Sequence, residues 1–312
     1  MEIFKRKSNY CSIIIITILI IFIITFITIS YIYYQKYEKS LKSFKNLQEN
    51  LENIEKEKLN NQNTYDDKSQ KVEDLKNIDT IISDTKKEVF KLASELEQKI
   101  VNKETKSKIA YLTFDDGPYY LTDEYLKVLK KYKIKGTFFT IGLDKEKCYD
   151  NRSKDCSITY KKIVDNGHTI ANHTYSHLIW QGLYSSPQAF INQVKKQENI
   201  IKEKTGVTTN IVRFPGGSAT AGYLKNSIIN ELRKNNYGWV DWTAQDGDGG
   251  GVANTTVAWN NLTNSINEDI EVVLFHDYSY TTLSILPKAI EYLENKDYIL
   301  LPLFYDSIKV NK

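Results

Sequence analysis

The sequence predicts an α/β domain with a parallel sheet over residues 108–312. From Lys108 onward, short apolar runs of strand length alternate with amphipathic stretches of helical period, such as 186–203, 224–234 and 283–293. This alternation is typical of strand–helix units whose strands pair in parallel. Seven such units indicate a barrel one unit short of the usual eight, with its chemistry at the C-terminal ends of the strands. The candidate strands are residues 109–114, 136–141, 168–172, 211–214, 238–243, 272–275 and 298–304.

The N-terminal segment has the pattern of a membrane anchor. No charged side chain lies between Ser8 and Gln35, and the apolar run would span about 30 Å as a helix, the thickness of a bilayer core. A cleaved signal peptide is the alternative, but its apolar region is shorter and ends in a small-residue cleavage site. We therefore expect a short cytoplasmic N-terminus over 1–12 and a single transmembrane anchor over 13–34.

The orientation of this anchor is not decided by the flanking charges, because lysines stand on both sides of it. Long domains can translocate regardless of such charges. Cys148 and Cys156 flank a polar loop, and they predict a disulfide in an oxidising compartment. Two unrelated surface thiols are the alternative. We expect a cell-membrane protein whose C-terminal domain is extracytoplasmic.

A stalk is predicted between the anchor and the α/β domain, over residues 35–107. This stretch is rich in Lys, Glu, Asn and Gln and contains neither Pro nor Gly. Apolar residues recur at three- and four-residue spacings, which indicates helices with a thin apolar stripe. A weak coiled coil that lets the protein self-associate is one interpretation, and a partly disordered spacer is the other. The stripe residues are Leu41, Phe44, Leu47, Leu51, Ile54, Val89, Leu92, Leu96 and Ile100.

The overall charge excludes one class of function. Lys and Arg number 42 against 39 Asp and Glu, a formal charge of +3, and no basic cluster is interleaved with aromatics. A nucleic-acid partner is therefore not expected.

Two adjacent carboxylates, Asp115 and Asp116, follow the first predicted strand in Thr-Phe-Asp-Asp-Gly-Pro. Their mutual repulsion is relieved if one ligates a cation and the other stays ionised beside it as a base. An ordinary Asp-Gly turn is the alternative interpretation.

Two of the four histidines, His173 and His177, stand four residues apart after the third predicted strand. On one helical turn they would project from the same face and suit one cation. A coincidental pair is the alternative. With a carboxylate from the first strand they would form a two-His-one-Asp site with open positions, as a catalytic metal requires.

Three further segments carry candidate functional groups. Arg213 begins Arg-Phe-Pro-Gly-Gly and would keep a neighbouring Asp ionised, unless it is a solvated surface residue. His276 ends another predicted strand, as a general acid or as a structural residue. A nearby carboxylate would orient this imidazole, and Asp246 and Asp248 are both candidates.

These motifs, in this order, resemble the polysaccharide deacetylases of carbohydrate esterase family 4, which share the NodB homology domain. The resemblance rests on Thr-Phe-Asp-Asp-Gly, His-Thr-x-x-His, Arg-x-Pro-x-Gly and Leu-x-His-Asp, and it covers the chain from about Lys108 onward. It implies a distorted (β/α)7 barrel and metal-assisted removal of acetyl groups from N-acetylated sugars.

The resemblance also implies roles for the residues on the metal side. Asp115 matches the catalytic base, and Arg213 matches the residue that holds this base. The metal ligands would be Asp116, His173 and His177. Zn²⁺ suits such ligands, with Co²⁺, Ni²⁺ or Mn²⁺ as alternatives.

On the other side, His276 matches the general acid and Leu274 the wall of the acetyl-methyl pocket. The backbone N–H of Gly216 falls where the family has its oxyanion donor. The family's Asp-x-x-Asp-Trp segment is degenerate here. Alignment on Trp242 makes Asp248 the residue that orients His276, with Gly249 in place of the usual aromatic and with Asp246 as the alternative.

Together these features predict a deacetylase of a cell-wall glycan, with N-acetylglucosamine of peptidoglycan as the substrate. N-acetylmuramic acid, chitin-type oligomers, an exported polysaccharide or xylan are alternative substrates, and a catalytically silent glycan-binding or scaffold protein is the alternative function. Four aromatic residues could stack on sugar rings or serve core packing. They are Tyr119, Tyr120, Tyr175 and Trp242, the last of which would also line the substrate pocket.

Overall fold

The computed structural model describes residues 42, 46–58, 68–142 and 157–312. The chain forms two compact units, Met1–Asn53 and Ile54–Lys312. The predicted anchor over 13–34 and the Cys148–Cys156 pair lie outside the described residues, and both stay predictions. Across the ranges that are described, no helix combines the length and the apolar character that crossing a membrane would need.

The second unit alternates strands and helices, as the sequence predicts. Its described strands are β1 (Lys108–Gly117), β2 (Thr137–Thr140), β3 (Thr169–Asn172), β4 (Ile211–Val212), β5 (Gly238–Trp239), β6 (Ala244–Gln245), β7 (Ile270–His276) and β8 (Tyr298–Leu301). Its longer helices are α1 (Lys68–Val101), α2 (Thr122–Lys131), α3 (Ser157–Asp165), α4 (Pro187–Thr205), α5 (Lys225–Lys234), α6 (Thr255–Ser265) and α7 (Tyr280–Asn295).

The predicted parallel sheet is confirmed. The strands run in the order β5-β4-β3-β2-β1-β7-β6, all parallel, and β8 pairs with the first half of β1. Within the described residues β5 and β6 are not paired with each other, so the sheet is a curled half-barrel. Closure into a seven-unit barrel stays a prediction.

The fifth predicted strand, 238–243, differs from the structure because the chain there changes neighbours. The Val240 N–H donates to the Val212 carbonyl on β4, whereas the Thr243 N–H donates to the Val272 carbonyl on β7. A continuous strand would pair with one neighbour throughout. The segment therefore contributes β5 to one edge of the sheet and β6 to the other.

The main core lies between the sheet and the helices, and it fixes which residues face inward. Phe114 is fully buried and stacks on Phe138 and Phe275, with ring centroids 4.8 and 5.9 Å apart. Successive side chains in a strand point to opposite faces. Because Phe114 faces the helices, Thr113 and Asp115 face the inside of the curled sheet.

The last turns of α1, which belong to the predicted stalk, pack on the α/β domain. Phe90 stacks on Phe304 with centroids 5.0 Å apart. Glu97 is fully buried, and its carboxylate accepts hydrogen bonds from the Tyr111 and Ser307 hydroxyls at 2.8 and 2.7 Å. This part of the helix is therefore attached to the domain rather than free, although the predicted boundary at 107/108 stays a prediction. Of the predicted stripe residues on α1, Val89, Leu96 and Ile100 are buried, whereas Leu92 is half-buried; the neighbouring Ala93 is buried as well.

Candidate active site

The C-terminal ends of several parallel strands meet at one place, and each brings a polar side chain. Asp115 on β1 lies directly opposite His276 on β7. The His173 N–H, just after β3, donates to the Thr140 carbonyl on β2, and the Arg213 N–H, just after β4, donates to the Asn172 carbonyl. These pairings bring residues that are far apart in sequence into one cluster.

A bulge in β1 places both adjacent carboxylates in this cluster. In a regular strand Asp115 and Asp116 would point to opposite faces. Here the register with β2 shifts between Asp115 and Gly117, and Asp116 has a φ of 69°. Such an extra residue bends the strand and redirects its side chain. As a result, Asp115 Oδ2 and Asp116 Oδ1 lie 3.6 and 3.5 Å from the same nitrogen, His173 Nε2.

The two histidines also meet, but the predicted helical turn between them is wrong. Residues 173–177 form an irregular loop, in which Thr174 and His177 have φ values of 66° and 53°. The Asn172 side chain accepts from the Thr174 N–H at 2.9 Å and ties this loop to β3. The loop, rather than helical periodicity, brings the imidazoles together, with ring centroids 4.9 Å apart.

Asp116, His173 and His177 fit a bound cation. One ligand atom from each lies within 4.8 Å of the others, and Asp116 Oδ1 is buried without a hydrogen-bond partner among the described residues. The His173 Nδ1 donates to the Arg213 carbonyl at 2.9 Å, which leaves Nε2 as the free lone pair. Burial, followed by the neighbouring His177, holds the pKa of His173 well below its usual value, so the ring is a neutral ligand.

Arg213 holds Asp115 from behind. The guanidinium is fully buried, its Nη1 donates to Asp115 Oδ1 at 2.8 Å and to Thr113 Oγ1 at 2.7 Å, and it lies over the Phe139 ring. Burial raises the pKa of Asp115, while the Arg213 charge acts in the opposite direction. Arg213 therefore favours the ionised carboxylate, as the sequence suggests, but burial outweighs it and leaves Asp115 more basic than an exposed carboxylate.

Asp248, rather than Asp246, contacts His276. Its Oδ1 lies 2.7 Å from His276 Nδ1, and its Oδ2 accepts from the His276 backbone N–H at 2.9 Å. Burial lowers the pKa of His276, but the hydrogen bond and charge of Asp248 outweigh it and raise this pKa to about 9. The His276 Nε2 lies 3.9 Å from Asp116 Oδ2, so the imidazolium faces the three candidate ligands.

The remaining predicted site residues are Leu274, Gly216 and Trp242, which lie on β7 and on two loops that follow strands. Leu274 is buried two residues before His276, on the same face of β7. Gly216 has a φ of 72°, and a Cβ there would lie 3.0 Å from Thr220 Oγ1, so the position favours glycine. Trp242 lies against Gly217, where a Cβ would come within 3.0 Å of the indole ring.

Several residues that support the site were missed by the sequence analysis. Thr113 accepts from Arg213 and donates to the Val273 carbonyl at 2.7 Å. Its position two residues before Asp115, on the same strand face, is the signal that could have identified it. Asp277 is the Asp of the Leu-x-His-Asp motif, to which the sequence analysis gave no role; it is buried against Gly117, where a Cβ would come within 2.3 Å of its Oδ2. Thr282, whose hydroxyl contacts the carboxyl groups of both Asp246 and Asp248, has no such local signal.

Comparison with known proteins shows which family the chain belongs to. Residues 102–240 match the family model for polysaccharide deacetylases. A peptidoglycan-N-acetylglucosamine deacetylase from Bacillus cereus is 30% identical over 223 residues, which cover 67% of this chain and 77% of that protein.

Solved structures show the same fold. The catalytic domain of a peptidoglycan N-acetylglucosamine deacetylase from Eubacterium rectale is 30% identical and superposes with a TM-score of 0.58 over 66% of this chain and 92% of that chain. A carbohydrate esterase family 4 pseudoenzyme from Bacillus anthracis is 22% identical, with a TM-score of 0.53 over 64% of each chain, which is a likeness of fold alone. The chain belongs to the polysaccharide deacetylase family.

Proposed function

We propose that this protein is a metal-dependent hydrolase that removes acetyl groups from the N-acetylglucosamine units of peptidoglycan. One observation carries the proposal. A buried carboxylate backed by an arginine, Asp115, and an imidazolium backed by a carboxylate, His276, lie opposite each other on paired strands beside three candidate metal ligands. Amide hydrolysis needs both a base for the water and an acid for the amine.

Asp116, His173 and His177 would hold one divalent cation, and Zn²⁺ suits a set of two imidazoles and a carboxylate. A bound cation of this kind polarises the acetamide carbonyl and makes water more acidic. The protein's own contribution is to hold the two imidazoles on a loop and the carboxylate on a strand bulge, so that little reorganisation is needed.

Asp115 would accept the proton of the attacking water. Arg213 occupies Oδ1, so the other oxygen, Oδ2, remains available on the side of His173. Burial raises the pKa of this carboxyl, which makes it a better proton acceptor near neutral pH than an exposed Asp.

Gly216 and His276 would act on the two ends of the breaking amide. The Gly216 N–H would donate to the oxyanion, a contribution of about 3 kcal/mol in comparable sites. The His276 Nε2 would protonate the leaving nitrogen, because an amine leaves poorly without a proton. Asp248 would keep the Nδ1 proton in place throughout. The products are acetate and a glucosamine unit.

The choice of substrate is supported by two lines. First, two similar proteins from Bacillus cereus are peptidoglycan-N-acetylglucosamine deacetylases. We also infer, from the sequence alone, that residues 13–34 anchor the protein in the cell membrane with its domain outside, where a wall glycan is within reach. N-acetylmuramic acid, chitin-type oligomers, exported polysaccharide and xylan are the alternatives for the assay.

Acetate release by the full-length protein in detergent tests the proposal. We expect Zn²⁺-loaded wild type to release acetate from N-acetylated peptidoglycan, and Asp115→Asn to lose about a thousandfold in kcat because the base is lost. Asp84→Asn, an exposed carboxylate on α1, is the matched control and should behave as wild type. Equal and negligible release by wild type and Asp115→Asn would favour a silent glycan-binding protein instead.

Metal removal supplies an independent test. Treatment with a chelator should abolish acetate release, and added Zn²⁺ should restore it. His177→Ala should weaken Zn²⁺ binding measured by calorimetry, since one of three ligands is lost. Unchanged Zn²⁺ affinity in this variant would contradict the ligand assignment.

A further inference from the structure

A buried threonine, Thr282, joins two carboxyl groups behind His276. Its Oγ1 lies 2.6 Å from Asp246 Oδ2, 2.7 Å from Asp248 Oδ2 and 3.0 Å from Ser279 Oγ. Asp246 and Thr282 are fully buried. A hydroxyl has one proton to donate and two lone pairs that accept. It cannot donate to two ionised carboxylates and a serine at once, so one of the carboxyls must supply a proton itself.

Asp248 is the carboxyl that stays ionised. Its Oδ1 accepts from the Gly249 N–H and from His276 Nδ1, both at 2.7 Å. Its Oδ2 accepts from the His276 backbone N–H at 2.9 Å and from Thr282. All four lone-pair positions of a carboxylate are thus used by donors, and one of these donors is cationic. Such an environment favours the charged form.

Asp246 has a different environment. Its Oδ1 accepts from the Asp248 N–H at 3.1 Å, and its Oδ2 lies 2.6 Å from Thr282 Oγ1. Its carboxyl group also contacts that of Asp248, which raises the pKa of Asp246. No cationic side chain pairs with it among the described residues. An ionised carboxylate without a counter-charge is costly to bury.

We propose that Asp246 carries a proton and donates it to Thr282, which donates its own to Asp248, so that Asp248 alone is the ionised partner of His276. The hydrogen bonds then balance. Thr282 accepts from Asp246 and from Ser279 and gives its single proton to Asp248. Asp246 and Thr282 are positioning residues in this arrangement, because they act on His276 through Asp248.

The surrounding groups favour the neutral form of Asp246. Burial raises the pKa of Asp246 to about 7, and the charge of Asp248 acts in the same direction. Tyr125 on α2 faces the same region, and its own pKa is raised by burial and then by Asp248, which leaves it neutral. The positively charged His276 pairs with Asp248 and not with Asp246, so it does not stabilise an ionised Asp246.

The effect on catalysis depends on the proposed role of His276 as the acid, whereas the protonation of Asp246 does not. With Asp246 neutral, His276 faces one negative charge in this network. When Asp246 ionises, the network carries a second negative charge near the imidazolium, which raises the pKa of His276 and makes it a weaker acid. We therefore expect kcat to fall as Asp246 loses its proton.

Infrared spectroscopy of the full-length protein tests the protonation directly. Wild type should show a protonated-carboxyl band that titrates near neutral pH, and Asp246→Asn should lack it. Asp277→Asn is the matched control, because burial also raises the pKa of Asp277 to about 7, and it should remove a different band. Identical bands in wild type and Asp246→Asn would overturn the proposal.

Kinetics supply the second readout. At pH about 6, where Asp246 is protonated, Asp246→Asn should keep kcat within about twofold, because its amide still donates to Thr282. Thr282→Val should lower kcat about tenfold through the lost hydrogen bond to charged Asp248, and Thr282→Ser should restore most of it. As pH rises toward 8, kcat should fall more steeply in wild type than in Asp246→Asn, because Asp277 still titrates near neutral pH in the variant.

A fall in Asp246→Asn as large as that in Thr282→Val would mean that Asp246 acts as an anion, and would overturn the proposal. If no variant and no wild type releases acetate, the proposed function fails, and the infrared bands still decide the protonation of Asp246.

Discussion

The two sides of the candidate active site have opposite arrangements of charge. On one side a carboxylate, Asp115, is held by a fully buried cation, Arg213, at 2.8 Å. On the other side an imidazole, His276, is held by a buried carboxylate, Asp248, at 2.7 Å. Each of the two groups that we propose to transfer protons thus has a partner of opposite charge behind it, which fixes its orientation and favours its charged form.

On each side, burial and the charge of the partner shift the pKa in opposite directions, and a different one of the two is larger. On the Asp115 side burial outweighs the Arg213 charge, and the pKa of the carboxyl is raised. On the His276 side burial lowers the pKa, but Asp248 outweighs it and the result is about 9. Asp248 accepts four hydrogen bonds, whereas Arg213 divides its donors among Asp115, Thr113 and two backbone carbonyls. The cost of burying charge is therefore offset more completely on the His276 side than on the Asp115 side.

The largest effect should come from breaking the Asp115 side. Arg213→Met should lower kcat at least a hundredfold and the free energy of unfolding by about 3–5 kcal/mol, because it leaves a buried carboxylate without its partner. Urea unfolding and acetate release measure the two. Arg233→Met, an exposed arginine on α5, is the control and should cost less than about 0.5 kcal/mol. Equal stability of the two variants would contradict the buried pair.

A smaller effect is expected from breaking the His276 side. Asp248→Asn should lower kcat about a hundredfold, because the imidazole loses its orienting anion. Without that anion the hydrogen bond and the charge that raise the pKa of His276 most are lost, so this pKa falls. The acidic form is then lost at lower pH, so the alkaline limb of the kcat profile should move down in pH. An unmoved alkaline limb would show that another group is the acid.

The smallest effects should come from exposed aromatic residues beyond the two sides. Trp180 is 92% exposed three residues after His177, and Tyr280 is 63% exposed four residues after His276. Each could stack on a further sugar of a polymeric substrate. Trp180→Ala and Tyr280→Ala should each raise KM for the polymer by about 2- to 10-fold and leave kcat unchanged.

Exposed Ile158 on α3 provides the control for this pair, and Ile158→Ala should leave KM unchanged. A loss of kcat rather than affinity in Trp180→Ala would place this residue in the catalytic centre instead.

Many of the residues that cluster in the candidate site were identified from the sequence, because their signals are local. A buried strand followed by polar residues can be recognised at Asp115, His173, Arg213 and His276 from short stretches of sequence. The parallel sheet then implies that these strand ends converge. The helix bounds were also close, as α5 spans Lys225–Lys234 against a prediction of 224–234.

Other features depended on contacts that no local pattern encodes. Whether Asp246 or Asp248 reaches His276 is set by the loop after β6 and by Thr282 on α7. The buried Glu97 joins α1 to a hydroxyl 210 positions away, Ser307, so the stalk pattern gave no sign of this attachment.

By itself, the sequence determined which residue types follow which strands, because apolar period and chain breakers act over a few residues. The tertiary structure decided how those residues face one another. The bulge at Asp116 and the left-handed residues Thr174 and His177 exist because pairing with neighbouring strands and loops over-determines the backbone there. Only that long-range packing turns two neighbouring carboxylates and two loop histidines into one centre.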